Sequence, residues 1–63
     1  MGPKEEIRQA KAAARERAAA GESLGDIALA LNMEFEGFYH VERGRLVRDN
    51  DVDYLPNVII LQE

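Results

Sequence analysis

The side chains that could do chemistry in this sequence are mostly basic or aromatic, and most of them fall between residues 39 and 48. Such side chains meet the phosphate oxygens and base edges of DNA. The candidate DNA-binding set is Tyr39, His40, Arg43, Arg45 and Arg48, joined by Lys11 from an earlier basic stripe. Three of these residues also have a structural interpretation: Lys11 could lie on a solvated helix face, Tyr39 could cover the core, and His40 could be an ordinary surface histidine.

A second group of residues favours contact with a protein. Phe35 stands between Glu34 and Glu36, and an exposed aromatic ring flanked by carboxylates is typical of a protein-binding surface; the alternative is that the ring folds back onto the tail. Leu29 is expected to point outward as well, where it could meet the first helix or a second copy of the chain. The candidate interaction set is therefore Glu34, Phe35, Glu36 and Leu29.

Several classes of function are disfavoured by residue types. The chain has no cysteine and one histidine, His40, so a zinc site is not expected. Asp49, Asp51 and Asp53 resemble the start of a calcium loop, but Tyr54 and Ile60 stand where its glycine and bidentate glutamate belong. No metal or other cofactor is predicted. The only serine is best used as a helix cap and threonine is absent, so we expect no enzyme.

The totals predict one small acidic domain. The chain has 63 residues and a net charge of −4. The charged residues occur in blocks along the sequence. Residues 22–36 contain four acidic and no basic side chains, whereas residues 37–48 contain three arginines and one glutamate. A domain this small buries little core, which predicts a homodimer formed through the C-terminal tail. No run of about 20 apolar residues is present, so a cytoplasmic, non-membrane protein is expected.

Helical periodicity organises the first two-thirds of the chain. Good helix formers predict helix 1 over residues 4–20, ended by Gly21. Ser23 with Asp26 forms a capping box for helix 2 over 24–31. A turn at Asn32 leads to helix 3 over 34–43, ended by Gly44. Residues 45–61 form a β-like tail, in which Val52–Leu55 could pair back as a hairpin and Val58–Leu61 is a β-branched run.

Residues 24–43 resemble the helix-turn-helix of phage Cro-like repressors and of the resolvase/invertase family. The framework positions are filled by Ile27, Ala28, Leu31, Asn32, Met33, Phe38 and Val41. The resemblance implies a mainly α fold, a three-helix helix-turn-helix module with a short C-terminal β-hairpin or strand. It also implies that the outward residues of helix 3 read base edges. Those residues are Glu34, Phe35, Glu36, Tyr39, His40 and Arg43, and the two carboxylates depart from the usual pattern because they repel phosphate.

Two functions follow as expectations. The first is a small, dimeric, DNA-binding transcriptional regulator that contacts double-stranded DNA. The second is a protein–protein interaction module on the same scaffold, acting as an adaptor, an inhibitor or an acidic mimic of nucleic acid.

Overall fold

Two helices are followed by three antiparallel strands in the computed structural model, which describes residues 3–49 and 58–62. Helix α1 spans Pro3–Ala19 and α2 spans Leu24–Glu34. Strand β1 spans Phe38–Glu42, β2 Arg45–Asp49 and β3 Val58–Gln62. The strand order is β1-β2-β3. The predicted pairing of Val52–Leu55, together with Asp51 and Asp53, lies outside the described residues.

The predicted three-helix fold is wrong, because residues 34–43 do not form a third helix. Helix α2 continues through Asn32 to Glu34, so there is no turn at Asn32. The chain then enters β1, whose sequence FYHVE is rich in aromatic and β-branched residues that favour strands. Arg43 and Gly44 connect β1 to β2, and both have positive φ, at 54° and 73°. Positive φ at both central residues is the requirement of the two-residue turn that suits a hairpin.

The start of α2 follows the predicted chemistry. Gly21 has a φ of 91°, the left-handed conformation that closes a helix. The Ser23 side chain accepts a hydrogen bond from the Asp26 backbone N–H at 3.2 Å, which confirms the cap. The two helices are thus separated by a short, locally encoded break, and α2 can turn back against α1.

Both helices pack on one face of the sheet, and the core lies between the two layers. Ile27, Leu31 and Leu46 are the largest fully buried side chains, each stabilising the fold by roughly 1.5–3 kcal/mol through burial. Small residues of α1 let the backbones approach closely. The core consists of Ile7, Ala10, Ala14, Ile27, Ala28, Leu31, Tyr39, Leu46 and Ile60.

Neither helix of the described residues packs on the other face of the sheet, which we call the open face. Pairing aligns His40 with Val47 and Val47 with Ile59, so these three side chains form a row across that face. Strand β3 has an irregularity opposite Leu46 and Val47, which lets both Ile60 and Leu61 contact the core.

Three apolar residues assigned to the core by the helix-turn-helix pattern are exposed instead. Met33 is 87% exposed, Phe38 68% and Val41 42%. Their predicted burial depended on a turn at Asn32 and on a third helix, and the structure has neither. Leu29, expected to point outward, is 66% exposed, as predicted.

Candidate functional site

A cleft opens to solvent between the first half of α1 and the segment that leaves α2. Its volume is about 530 Å³, within the range of roughly 300–1,000 Å³ that is typical of ligand sites. Three of its six lining residues are glutamates. The lining residues are Glu6, Gln9, Met33, Glu34, Phe35 and Glu36. We refer to this feature as the acidic cleft.

Phe35 anchors the wall that α2 contributes to the cleft. It is the C-cap of α2, with extended backbone at φ −127° and ψ 158°, and its N–H donates to the Leu31 carbonyl at 2.8 Å. The half-buried Phe35 side chain packs against the core. Glu34 and Glu36, on either side of Phe35 in the chain, are both exposed, whereas the Phe35 ring is half-buried.

Arg17 of α1 fixes one of the cleft carboxylates. Its guanidinium donates to Glu34 Oε1 at 2.6 Å and to Glu22 Oε2 at 3.2 Å. The hydrogen bond to Glu34 is the main reason that the pKa of Arg17 is raised, although partial desolvation opposes it. A cation here also complements the negative C-terminal end of α2, where the last turn has no basic residue of its own.

Glu6 provides a second tie between α1 and this wall. Its Oε1 accepts a hydrogen bond from the backbone N–H of Glu36, a contact across 30 residues of sequence. With the Arg17–Glu34 pair, it holds the segment 33–36 at two points. The cleft is therefore pre-organised, and no lysine or arginine is among its described lining residues.

An apolar stripe continues the cleft along α2. Leu29 and Met33 are four residues apart on the same helix, so they lie on one face, one turn from each other. Both are among the most exposed large apolar side chains of the described residues. Exposed apolar side chains thus adjoin carboxylates on a fixed backbone.

The candidate interaction set is partly brought together at this cleft. Glu34, Phe35 and Glu36 line it, while Leu29 lies one turn back on the stripe. The Phe35 ring, for which exposure and packing onto the tail were both open, is half-buried against the core. Sequence reasoning missed Glu6, Gln9 and Arg17, which come from α1, and it gave Met33 only a framework position in the helix-turn-helix.

The candidate DNA-binding set is dispersed by the sheet. Arg45 and Arg48 are three residues apart on β2, so the alternation of a strand places them on opposite faces. Tyr39 is buried in the core beneath the helices, which was the alternative to a phosphate contact. His40 lies on the open face, Arg43 is in the hairpin turn, and Lys11 is on α1.

Arg48 is held on the helix side of the sheet, near Tyr39 and Gly37. A β-carbon at Gly37 would lie 2.7 Å from Arg48 Nε, so the guanidinium packs directly over that glycine. Arg48 Nε and the Tyr39 hydroxyl are both buried without a hydrogen-bond partner among the described residues. Burial raises the pKa of the Tyr39 hydroxyl, and the neighbouring Arg48 cation opposes that shift in part.

Comparisons with known proteins identify no relative. No family model matches the chain, and neither the curated proteins nor the solved structures give a match. Within the described residues, neither helix is both long enough and apolar enough to cross a membrane.

Proposed function

We propose that this chain is a protein-interaction module. The acidic cleft and the adjoining Leu29–Met33 stripe bind a partner segment that carries basic side chains beside apolar ones. The observation that carries this proposal is the position of Met33, which is 87% exposed beside the carboxylates of Glu34 and Glu36.

Apolar contact supplies much of the binding free energy in this proposal. Leu29 and Met33 lose water-exposed apolar area when a partner covers them, worth roughly 25 cal/mol for each Å² buried. Methionine is unbranched and polarizable, so it adapts to irregular partner side chains. Two anchors one helical turn apart also match the spacing of side chains on an extended or helical partner.

Charge selects the partner. Residues 22–36 contribute four acidic side chains and no basic one, and Arg17 compensates only part of that charge. A lysine or arginine of the partner gains charge-assisted hydrogen bonds with Glu36 and Glu6. An acidic segment, or the phosphates of DNA, would be repelled. A second copy of this same acidic surface would be repelled for the same reason.

DNA binding remains the other function predicted from the sequence. Its reading helix is absent, and its arginines lie on different faces of the sheet. The titration with duplex DNA in the NMR experiment described below tests this function.

Selection from a random 12-residue peptide library tests the proposal. The immobilised wild type should enrich peptides with lysine or arginine next to leucine, methionine or an aromatic residue. Enrichment should disappear with the double variant M33S/E36K. Matched changes outside the cleft, V41S and E16K, should leave it unchanged. Enrichment of acidic peptides, or none at all, would contradict the proposal.

Backbone NMR spectra locate the binding site. A selected peptide should shift the amides of residues 6–9, 29 and 33–36 in ¹⁵N-labelled protein. Mixed-sequence duplex DNA at low salt, where phosphate attraction is strongest, should shift none of these. Peptide-induced shifts confined to other residues would contradict the site, and saturable DNA-induced shifts around Arg43 and Arg48 would favour the DNA-binding function.

A further inference from the structure

We infer that the open face of the sheet is a homodimer interface, in which the central strands of two copies cross antiparallel through Arg45, Val47 and Asp49. This inference is independent of the proposed function, because the acidic cleft lies in the helical layer.

The open face is apolar at its centre and partly exposed. Val47 lies at the centre of this face but is only 5% exposed, so it is already buried within one copy, and the apolar area open to a partner comes from its neighbours. Phe38 is 68% exposed and Ile59 43%. Register places Phe38 beside Asp49 and Ile59 beside Val47, so these side chains form one continuous surface. Exposed apolar side chains gathered on one sheet face indicate a contact surface.

The charges of the central strand identify a second copy as the occupant. Along β2 the residues facing outward are Arg45, Val47 and Asp49, a cation and an anion on either side of an apolar residue. Arg45 makes no ion pair with any described residue, although Glu42 is its cross-strand neighbour on β1, and Asp49 has only a contact of 3.5 Å to His40 Nδ1. This order of charge is self-complementary when the strand is reversed.

Symmetry then fixes the arrangement. A two-fold axis that runs across the strands, over the row of His40, Val47 and Ile59, reverses strand direction and keeps β2 over β2. Arg45 of each copy then faces Asp49 of the other, and Val47 faces Val47. An axis parallel to the strands would instead place Arg45 over Arg45 and Asp49 over Asp49. Electrostatic repulsion disfavours that second arrangement.

The size of the face predicts a weak dimer. Three strands of five residues cover roughly 15 Å by 17 Å, well below the roughly 800 Å² per partner of a standard stable interface. The dissociation constant of the dimer should therefore be on the order of tens to hundreds of micromolar. It would present two acidic clefts, one on the outer side of each copy, so a partner with two binding segments would gain avidity.

Sedimentation equilibrium from 10 µM to 1 mM, with charge reversal at Arg45 and Asp49, tests the interface. The single variants R45D and D49R should each weaken the dimer about tenfold, because one reversal replaces two attractive pairs with repulsive ones, each worth up to about fivefold. The double variant R45D/D49R restores opposite charges and should recover wild-type association.

Two matched controls separate this interface from other effects. R43E makes a similar charge change in the hairpin turn, and E36K changes the acidic cleft; both should dimerise like the wild type. Circular dichroism should show the same helix content in every variant. A wild type that stays monomeric at 1 mM would overturn the inference, as would a double variant no better than the single ones.

Discussion

The side-chain amide of Asn32 pairs with both backbone groups of Tyr39. Asn32 Oδ1 accepts the Tyr39 N–H at 2.7 Å, and Asn32 Nδ2 donates to the Tyr39 carbonyl at 3.0 Å. These are the two hydrogen bonds that a neighbouring strand would make with Tyr39. The last turn of α2 thereby closes the outer edge of β1, and it sets where the chain begins the hairpin.

Removal of this amide should destabilise the fold. Asn32→Ala leaves the N–H and carbonyl of Tyr39 without partners in a partly buried position, and we expect a loss of about 1–3 kcal/mol in the free energy of unfolding. Urea denaturation, monitored by circular dichroism, measures this loss of stability. Met33→Ala, one residue on, is the control and should change stability by less than about 0.5 kcal/mol. Equal effects of the two substitutions would contradict the role of the Asn32–Tyr39 pairing.

Gly37 and Gly25 should respond to alanine in opposite directions. At Gly37, φ is +105°, a backbone conformation that L side chains rarely adopt, so Gly37→Ala should cost about 1–3 kcal/mol, chiefly through backbone strain. At Gly25, inside α2, the atom nearest to an added β-carbon would be Ser23 Oγ at 4.0 Å. Gly25→Ala should therefore stabilise by roughly 0.5–1 kcal/mol. Chemical denaturation of both variants measures the change in the free energy of unfolding. A change of the same sign at both positions would refute the prediction.

The parts of the fold that sequence could predict are those encoded locally. Gly21 and Ser23 carry the chemistry of a helix stop and a helix start within three residues, and both have the predicted roles. The alanine-rich face of α1 likewise follows from helical spacing alone. None of these features needs a distant contact to decide its conformation.

The hairpin was missed because two periodicities compete in residues 38–43. Phe38 and Val41 are three residues apart, which is typical of a helix face, yet the same stretch continues through Arg43-Gly44 into the alternating β2. Pairing with β2 and the side chain of Asn32 satisfy the backbone of β1, and both come from outside the segment. An Arg-Gly pair between two alternating runs was the available signal for a hairpin.

The candidate cleft was predictable only in part. Glu34, Phe35 and Glu36 are adjacent in sequence, so their character as a contact surface was visible. Glu6 and Arg17 reach the same place from 30 and 17 residues away. Only the packing of α1 against α2 brings them there. Helical periodicity does not show which residues of one helix lie beside which residues of the other.

Stability should fall at alkaline pH because of Tyr39. Burial raises the pKa of its hydroxyl above the usual value of 10.0, so the folded state keeps this proton at pH values where the unfolded chain loses it. The contribution is fully present below about pH 10 and is lost as pH rises through the higher folded-state value. Denaturation midpoints between pH 8 and pH 11.5 should show the decline. Tyr39→Phe removes the titrating hydroxyl and should make this decline shallower. An unchanged slope in Tyr39→Phe would contradict this assignment.

Arg17 should couple more strongly to Glu34 than to Glu22. The distances are 2.6 Å to Glu34 and 3.2 Å to Glu22, and the first contact joins α1 to the end of α2. Double-mutant cycles that combine Arg17→Gln with Glu34→Gln or Glu22→Gln measure both couplings from melting temperatures. The Arg8–Glu5 pair, at 3.5 Å with Arg8 largely exposed, is the control and should show almost none. Equal coupling in all three cycles would contradict a specific role of Arg17 at the cleft.

The hairpin turn should become more stable when asparagine replaces Arg43. Arg43 has a φ of 54°, a left-handed conformation that asparagine adopts more easily than arginine, and Asn-Gly is the preferred pair for this turn. We expect Arg43→Asn to raise the free energy of unfolding by about 0.5–1 kcal/mol and Arg43→Val to lower it, since β-branched residues oppose positive φ. Arg43→Gln, which removes the charge at the same position but lacks asparagine's tolerance of positive φ, is the control for loss of the charge. Urea denaturation ranks the three variants, and an Arg43→Val protein as stable as Arg43→Asn would show that the turn does not constrain this residue.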